Sequence, residues 1–254
     1  MSGDIEITDD GAIKIIRFNR MDKKNAITQE MYAAMSDAME AAQKDTLSAI
    51  VFLGQPSVFT SGNDIADFMT NAMSDDFTRS ATMRFLRALA QCKIPIIAGV
   101  DGLAIGIGAT MLMHCDMVFA TKRSLLKTPF LNLGLVPEAG SSLIAPLIMG
   151  RQRAFEMLVL GEDFSAERAR EAGLINHIID EDVLEKHVME TAYKLASQPP
   201  EALRLSRALL QNGEEQILQR IEEEAVLFAK QLHSDEAREA FEAFMEKRPP
   251  NFKS

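Results

Sequence analysis

Cysteine is almost absent from this sequence: Cys92 and Cys115 are the only two in 254 residues. They have no CxxC spacing, so they leave no metal signature, fit a reducing compartment, and read as plain buried thiols. The four histidines are scattered without HxxxH spacing, so no metal is expected and His114 reads as a core or surface residue. Basic charge is outnumbered, 27 Lys and Arg against 37 Asp and Glu, for a net charge of −10. That field repels phosphodiester backbones and anionic bilayers, so neither nucleic acid nor a membrane is an expected partner. An anionic small ligand stays open, because local Lys or Arg side chains and helix N-termini bind phosphate even in an acidic protein. No apolar run reaches the ~18 residues of a membrane span. The start, MSGDIEITDD, is unlike a signal or transit peptide, and the end, NFKS, is not the SKL peroxisomal signal. The cytoplasm is therefore the expected compartment. Fixed-period repeats, low-complexity tracts and long linkers are also missing.

What is present is a chain with 47% hydrophobic residues, able to bury a full core as one domain or two. In the first half, short apolar runs alternate with helical patterns, which predicts an α/β arrangement. Strands are predicted at Ala12–Asn19, Leu47–Leu53, Ile94–Val100 and near Met117–Ala120. Helices are predicted at Thr28–Gln43, where Met31, Met35 and Met39 form a core-facing stripe, and near Asp75–Gln91. After about Arg151 the pattern turns helical, with one short apolar run at Leu174–Ile179. Glu181–Ser197, Pro200–Leu210, Glu214–Leu232 and Asp235–Lys247 are predicted helices, a cap or an oligomer surface. The acidic run Glu222–Glu224 reads as a solvated helix face.

Three glycine-containing turns, each after an apolar strand, are the candidates for chemistry. In Phe59-Thr60-Ser61-Gly62-Asn63-Asp64-Ile65, Gly62 frees the backbone, so that the Asn63 amide can face a cleft; an ordinary polar turn is the competing reading. In Val100-Asp101-Gly102-Leu103-Ala104-Ile105-Gly106-Ile107-Gly108-Ala109-Thr110, a dinucleotide fingerprint is disfavoured because Met111 stands where the third glycine belongs. Amides near Ile107, at a helix start, can donate to a developing oxyanion; close helix–strand packing through glycine is the alternative. The third, running from Lys127 to Ser142, places Glu138 between Val136-Pro137 and Ala139-Gly140. Apolar surroundings disfavour the charged form and would make Glu138 a better base; taken by itself, an exposed loop glutamate is the favoured reading.

Taken together, in this order and spacing, the three segments resemble the crotonase (enoyl-CoA hydratase/isomerase) superfamily from about Ala12 to Phe252. The resemblance implies an α/β crotonase (ClpP-like) spiral of ββα units over residues 1–195, with a helical cap or trimerisation region at 196–254. It implies that the amides of Asn63 and Ile107 form an oxyanion hole for an acyl thioester, within turns that include Ser61, Gly62, Asp64, Ile65 and Gly106. The start of the match, FNRMDKKNAIT, is similar to the region that holds the nucleotide end of coenzyme A, which makes Lys24 and Ala26 candidate contacts. No cofactor is implied, because coenzyme A is part of the substrate. A homotrimer or a pair of trimers is the implied assembly.

The resemblance also separates members. Hydratases of the family carry two catalytic glutamates, and the matching positions here are Thr110 and Phe130. Glu138 stands where peroxisomal-type Δ3,Δ2-enoyl-CoA isomerases place a single catalytic glutamate, and where ring-opening isomerases of phenylacetate breakdown have aspartate. The implied reaction moves a double bond from C3 to C2 through one glutamate, with Phe130 keeping water away. A hydratase, a ring-opening isomerase and a non-catalytic acyl-CoA-binding module are the rivals. Phe68, Met69, Met73 and Phe77 read either as an acyl tunnel or as core.

Overall fold

Apolar runs of four to eight residues are too short for buried helices and suit strands covered on both faces. The computed structural model describes residues 3–44, 47–72, 77–211 and 213–252, with backbone alone at 69–72. In chain order it begins β1 (Ile5–Asp10), β2 (Ile13–Phe18), α1 (Gln29–Lys44), β3 (Ala49–Leu53), β4 (Val58–Thr60), α2 (Ile65–Ala72) and α3 (Ala81–Gln91). It continues β5 (Ile96–Val100), β6 (Leu103–Ile105), α4 (Ile107–Thr110), β7 (Met117–Thr121), β8 (Leu125–Lys127) and α5 (Ser141–Leu158). The remainder is β9 (Phe164–Ser165), α6 (Ala166–Glu171), β10 (His177–Ile179), α7 (Leu184–Ala196), α8 (Pro200–Leu210), α9 (Glu214–Leu232) and α10 (Asp235–Glu246). None of the described helices is long and apolar enough to cross a membrane.

Two sheets share the strands by turns. One has the order β1-β2-β3-β5-β7-β10, the other β4-β6-β8-β9. All pairs are parallel except β1 with β2 and β8 with β9. From β3 to β8 consecutive strands therefore alternate between sheets, and each pair advances one place along both, which is the α/β spiral of ββα units that the resemblance implied. Every residue of β3 and β5 is buried. Phe85 and Leu86 of α3 and the fully buried Met31, Met35 and Met39 of α1 pack on one face of this sheet. Leu184, Val188 and Ala192 of α7 pack on the other.

The four predicted strands contain β2, β3, β5 and β7, and the four C-terminal helices match α7 to α10 within a few residues. The helical pattern expected from Asp75 becomes α3 from Ala81, capped by Ser80, whose hydroxyl accepts from the Met83 amide at 3.2 Å. Asp75 itself lies outside the described residues. The helix α2 was not anticipated, because its start coincides with a turn-like Ser-Gly-Asn-Asp sequence; Asp64 Oδ1 caps it by accepting from the Asp67 amide at 3.1 Å.

One expectation is corrected. Glu222–Glu224 is a solvated face only in part, exposed at Glu223 and half-buried at Glu222: successive helical residues point ~100° apart, so three in a row cannot share one side. Glu222 reaches Arg87 on α3 through two hydrogen bonds and Glu223 pairs with Arg220, while Glu224 is buried. Both cysteines behave as structural thiols: Cys92 is buried and Cys115 half-buried, and burial pushes the Cys92 thiol up to about 11.

Candidate active site

Because β4, β6 and β8 are parallel neighbours in one sheet, the segments after them emerge side by side at one edge. Those segments hold the three glycine turns, so the topology brings together residues more than seventy positions apart. A cavity of about 330 Å³ opens there. Ser61, Gly62, Asn63, Ile65, Gly106, Ile107, Phe130 and Glu138 all line it.

The first two turns are locked to each other by backbone contact. Gly62 has φ +89°, and a Cβ there would stand 2.8 Å from the Ile105 carbonyl oxygen. A Cβ on Gly108 would meet the Thr60 methyl at 2.5 Å. The Gly62 carbonyl accepts from Ile27 N at 2.8 Å and Asp64 N donates to Ile27 O at 2.9 Å, so the amide between them, that of Asn63, is left out of the pairing. Gly106 N is bonded to Lys127 O at 2.8 Å, and the bonds of the following turn begin at Ala109 N. Among the described residues, neither the Asn63 nor the Ile107 amide has a protein acceptor. Two unpaired amides on the wall of an apolar cavity can donate to an acceptor oxygen of a ligand. The Asn63 side chain is fixed as well, accepting from the buried Tyr32 hydroxyl at 2.5 Å.

Glu138 is 9% exposed, with Phe130, Leu135 and Phe228 lining the same cavity. Burial pushes its carboxyl up to about 8; the Thr110 hydroxyl, donating to Oε1 at 2.5 Å, opposes the rise, and the negative charge of Glu224 adds to it. A carboxyl whose pKa is raised in this way can take up or release a proton near neutral pH. The turn that follows is left-handed at two residues, Ala139 (φ 63°) and Gly140 (φ 69°), a conformation costing a non-glycine residue about 1–2 kcal/mol. His114 Nε2 donates to Ala139 O at 2.7 Å, and burial holds its imidazole neutral by lowering its pKa. His114 is thus a core residue, as expected, but one that grips the chain next to Glu138.

Lys24, Ala26 and Asp64 lie outside the cavity lining. Lys24 is exposed and Ala26 half-buried, on a loop joined to the site through the Ser61 amide, which donates to Lys24 O at 3.0 Å. Asp64 is turned away, paired with Arg20 at 2.7 Å. Phe68 lines the cavity and Phe77 backs it: Phe77 stacks on Phe228 at 5.3 Å, and Phe68 meets Phe228 edge-on at 6.0 Å. Met73 and the side chain of Met69 lie outside the described residues. Sequence reasoning missed Asn25, Thr110 as a hydrogen-bonding partner, and Glu224. Asn25 is fully buried in a left-handed conformation (φ 55°), its amide donating to Val58 O and Phe59 O at 2.9 and 3.1 Å, and so pins the Lys24 loop to β4. The signal for Glu224 was present: it stands on the stripe Ile217, Ile221, Phe228, Leu232.

A staggered double sheet of this kind is the crotonase-superfamily fold. Residues 8–254 match the model of the enoyl-CoA hydratase/isomerase family, and the chain belongs to it. Enoyl-CoA delta isomerase 2 of Rattus norvegicus is 34% identical over 250 residues, 96% of this chain and 64% of the relative. The chain thus spans just under two thirds of that relative's length. The 2,3-dehydroadipyl-CoA hydratase of Escherichia coli is 28% identical over 243 residues, 95% of each chain. The crystal structure of an enoyl-CoA hydratase/isomerase from Pseudoalteromonas atlantica superposes with a TM-score of 0.92 at 36% identity, covering 98% of this chain and 100% of that one.

Proposed function

We propose that this enzyme is a Δ3,Δ2-enoyl-CoA isomerase in which Glu138 carries the proton. The observation that supports this reading most is that Glu138 is the only carboxylate among the described residues lining the cavity. Hydration needs one group to activate water and another to protonate carbon, a task for two carboxyl groups, whereas allylic isomerisation needs one group that takes and returns the same proton. Thr110 and Phe130 stand at the two hydratase positions, and Phe130 lines the cavity where a second carboxylate would have to reach.

In the proposed cycle, the thioester oxygen of a 3-enoyl-CoA accepts hydrogen bonds from the Asn63 and Ile107 amides. Ionised Glu138 removes a C2 proton, and the C–H electron pair spreads through the carbonyl and the C3=C4 bond as a dienolate. Each donor stabilises that oxyanion by about 3–4 kcal/mol, judged from oxyanion holes elsewhere. The neutral carboxyl then delivers the proton to C4, leaving a C2=C3 bond and regenerating the carboxylate. Thr110 holds Oε1 in register throughout.

The loop of Lys24 and Ala26 is the proposed seat for the nucleotide end of coenzyme A, supported by its bond to Ser61. A homotrimer or pair of trimers is the proposed assembly; exposed Leu209, Leu210, Val226 and Leu227 on α8 and α9 support a subunit contact. The deciding experiment is a product assay with 3-hexenoyl-CoA and crotonyl-CoA side by side. Formation of 2-hexenoyl-CoA without 3-hydroxybutyryl-CoA is expected. Rapid hydration of crotonyl-CoA would replace this reading with the hydratase one, and binding without turnover would leave a non-catalytic module.

A further inference from the structure

We infer that Glu224, on α9, is a positioning residue for Glu138: its carboxylate clamps the amides of Gly140 and Ser142 and thereby fixes the left-handed turn that presents Glu138 to the cavity. This rests on the reading of Glu138 as the proton carrier. Helix α5 begins at Ser141 behind Gly140, which has no side chain with which to cap it. Its first amides would be orphaned in a buried setting. Glu224 takes that place from another helix, Oε2 accepting from Gly140 N at 2.6 Å and Oε1 from Ser142 N at 2.9 Å. Each bond is charge-assisted and lies at a helix N-terminus, where negative charge is favoured.

The clamp acts at a place where the chain resists its own conformation. Ala139 and Gly140 are both left-handed, and two contacts hold them there: His114 on the Ala139 carbonyl and Glu224 on the Gly140 amide. Glu138 is the residue immediately before this pair. Few charged groups surround the clamp. Arg220, one turn earlier on α9, faces Glu224 and donates to Ser142 Oγ at 3.2 Å; Arg87 of α3 is taken by Glu222; from the opposite side come Glu138 itself and the neutral imidazole of His114. Burial raises the Glu224 carboxyl, and its bonds to Ser142 and Gly140 pull the other way. The charge of Glu224 also lies close enough to Glu138 to disfavour a second negative charge there.

Two variants separate reach from charge. In Glu224→Gln the amide nitrogen would present hydrogens to one of the two backbone donors, so one clamp bond is lost together with the charge. Glu224→Asp keeps the charge and shortens the reach. For a misplaced base, kcat is expected to fall ~10–100-fold in both variants while KM stays within ~2-fold. A ¹³C titration of the Glu138 carboxyl should move to lower pH in Glu224→Gln, since a like charge has gone, and stay near its wild-type position in Glu224→Asp. The titration reads Glu138 whichever acyl-CoA reaction the site runs. If 3-enoyl-CoA is not isomerised but another acyl-CoA ester is turned over, with kcat lowered in both variants and the titration moved only in Glu224→Gln, the positioning role stands and the isomerase reading falls. Should Glu224→Gln fail to fold, Glu224→Asp and the folded wild type carry the comparison. Variants that lose only melting temperature, with kcat and the titration unchanged, make Glu224 an ordinary helix cap and overturn the inference.

Discussion

The two halves of the active site are built by opposite means. On the proposed oxyanion side, the groups are backbone amides, and what aims them is backbone too: strands β4 and β6 pair, and Gly62 and Gly108 let the following turns touch. On the proposed base side, the group is one side chain, and what aims it is other side chains: Thr110 from α4, His114 just after it, and Glu224 from α9, 84 residues beyond the Gly140 amide that it holds. Backbone donors tolerate any side chain on the residue that carries them, provided that the chain can pass. A carboxyl base needs its ionisation tuned, and tuning requires neighbours of particular chemistry. The difference teaches that a scaffold can keep its oxyanion hole while exchanging the proton-handling group.

That contrast can be broken most sharply at Glu138. Glu138→Gln should lower kcat by ~10²–10⁴, the span of a general base, while affinity for the CoA ester is retained. Wild-type-like turnover would remove Glu138 from the mechanism. Next in size is the oxyanion side. In Gly62→Ala the new methyl must displace the Ile105 carbonyl, and losing a donor's aim should cost ~10²–10³ in kcat. In contrast to Glu224→Gln, the Glu138 titration should not move; if it does, the two halves are not built independently.

A smaller effect is expected at Thr110. The acidic limb of kcat/KM should lie near pH 8 in the wild type, because the base must be ionised and burial raises its pKa to about 8. Thr110→Val removes the hydrogen bond that holds the pKa down, so the limb should move to higher pH. A shift of ~1 unit would reduce the rate at pH 7 about tenfold. A limb that moves to lower pH would contradict the assigned role of the hydroxyl.

The smallest effect is on stability. A carboxyl raised from its ordinary 4.5 to about 8 contributes stability that is complete below pH 4.5 and is lost as pH rises through 8. Glu138→Gln removes that loss, so its melting curve should lie above the wild type's at pH 8–9 by ~1–3 kcal/mol and coincide with it near pH 4. Equal stability across the range would mean that Glu138 is better solvated than its burial implies.

Much of this architecture was legible beforehand. Runs such as Ile96–Val100 are apolar throughout because helices cover both faces of their sheet, and the amphipathic periods of α7 to α10 set their boundaries to within a few residues. The three-residue strands β4, β6 and β8 were not legible as strands, since pieces so short carry no period of their own and exist only by pairing with one another. Asn25 looked like one more residue of a polar loop, and Thr110 like a mere absence of glutamate.

By itself the sequence determined which segments are candidates for chemistry: glycine in a short turn and a glutamate set among apolar residues are local properties, written in consecutive positions. Only the tertiary structure decided what those segments do to one another. Parallel pairing in the second sheet put them at one edge, and the packing of α9 buried Glu224 behind Glu138 where an acidic run had suggested a wet surface. Such placement follows from which faces meet in the folded core, and burial, which sets the ionisation of Glu138, is a property of that meeting.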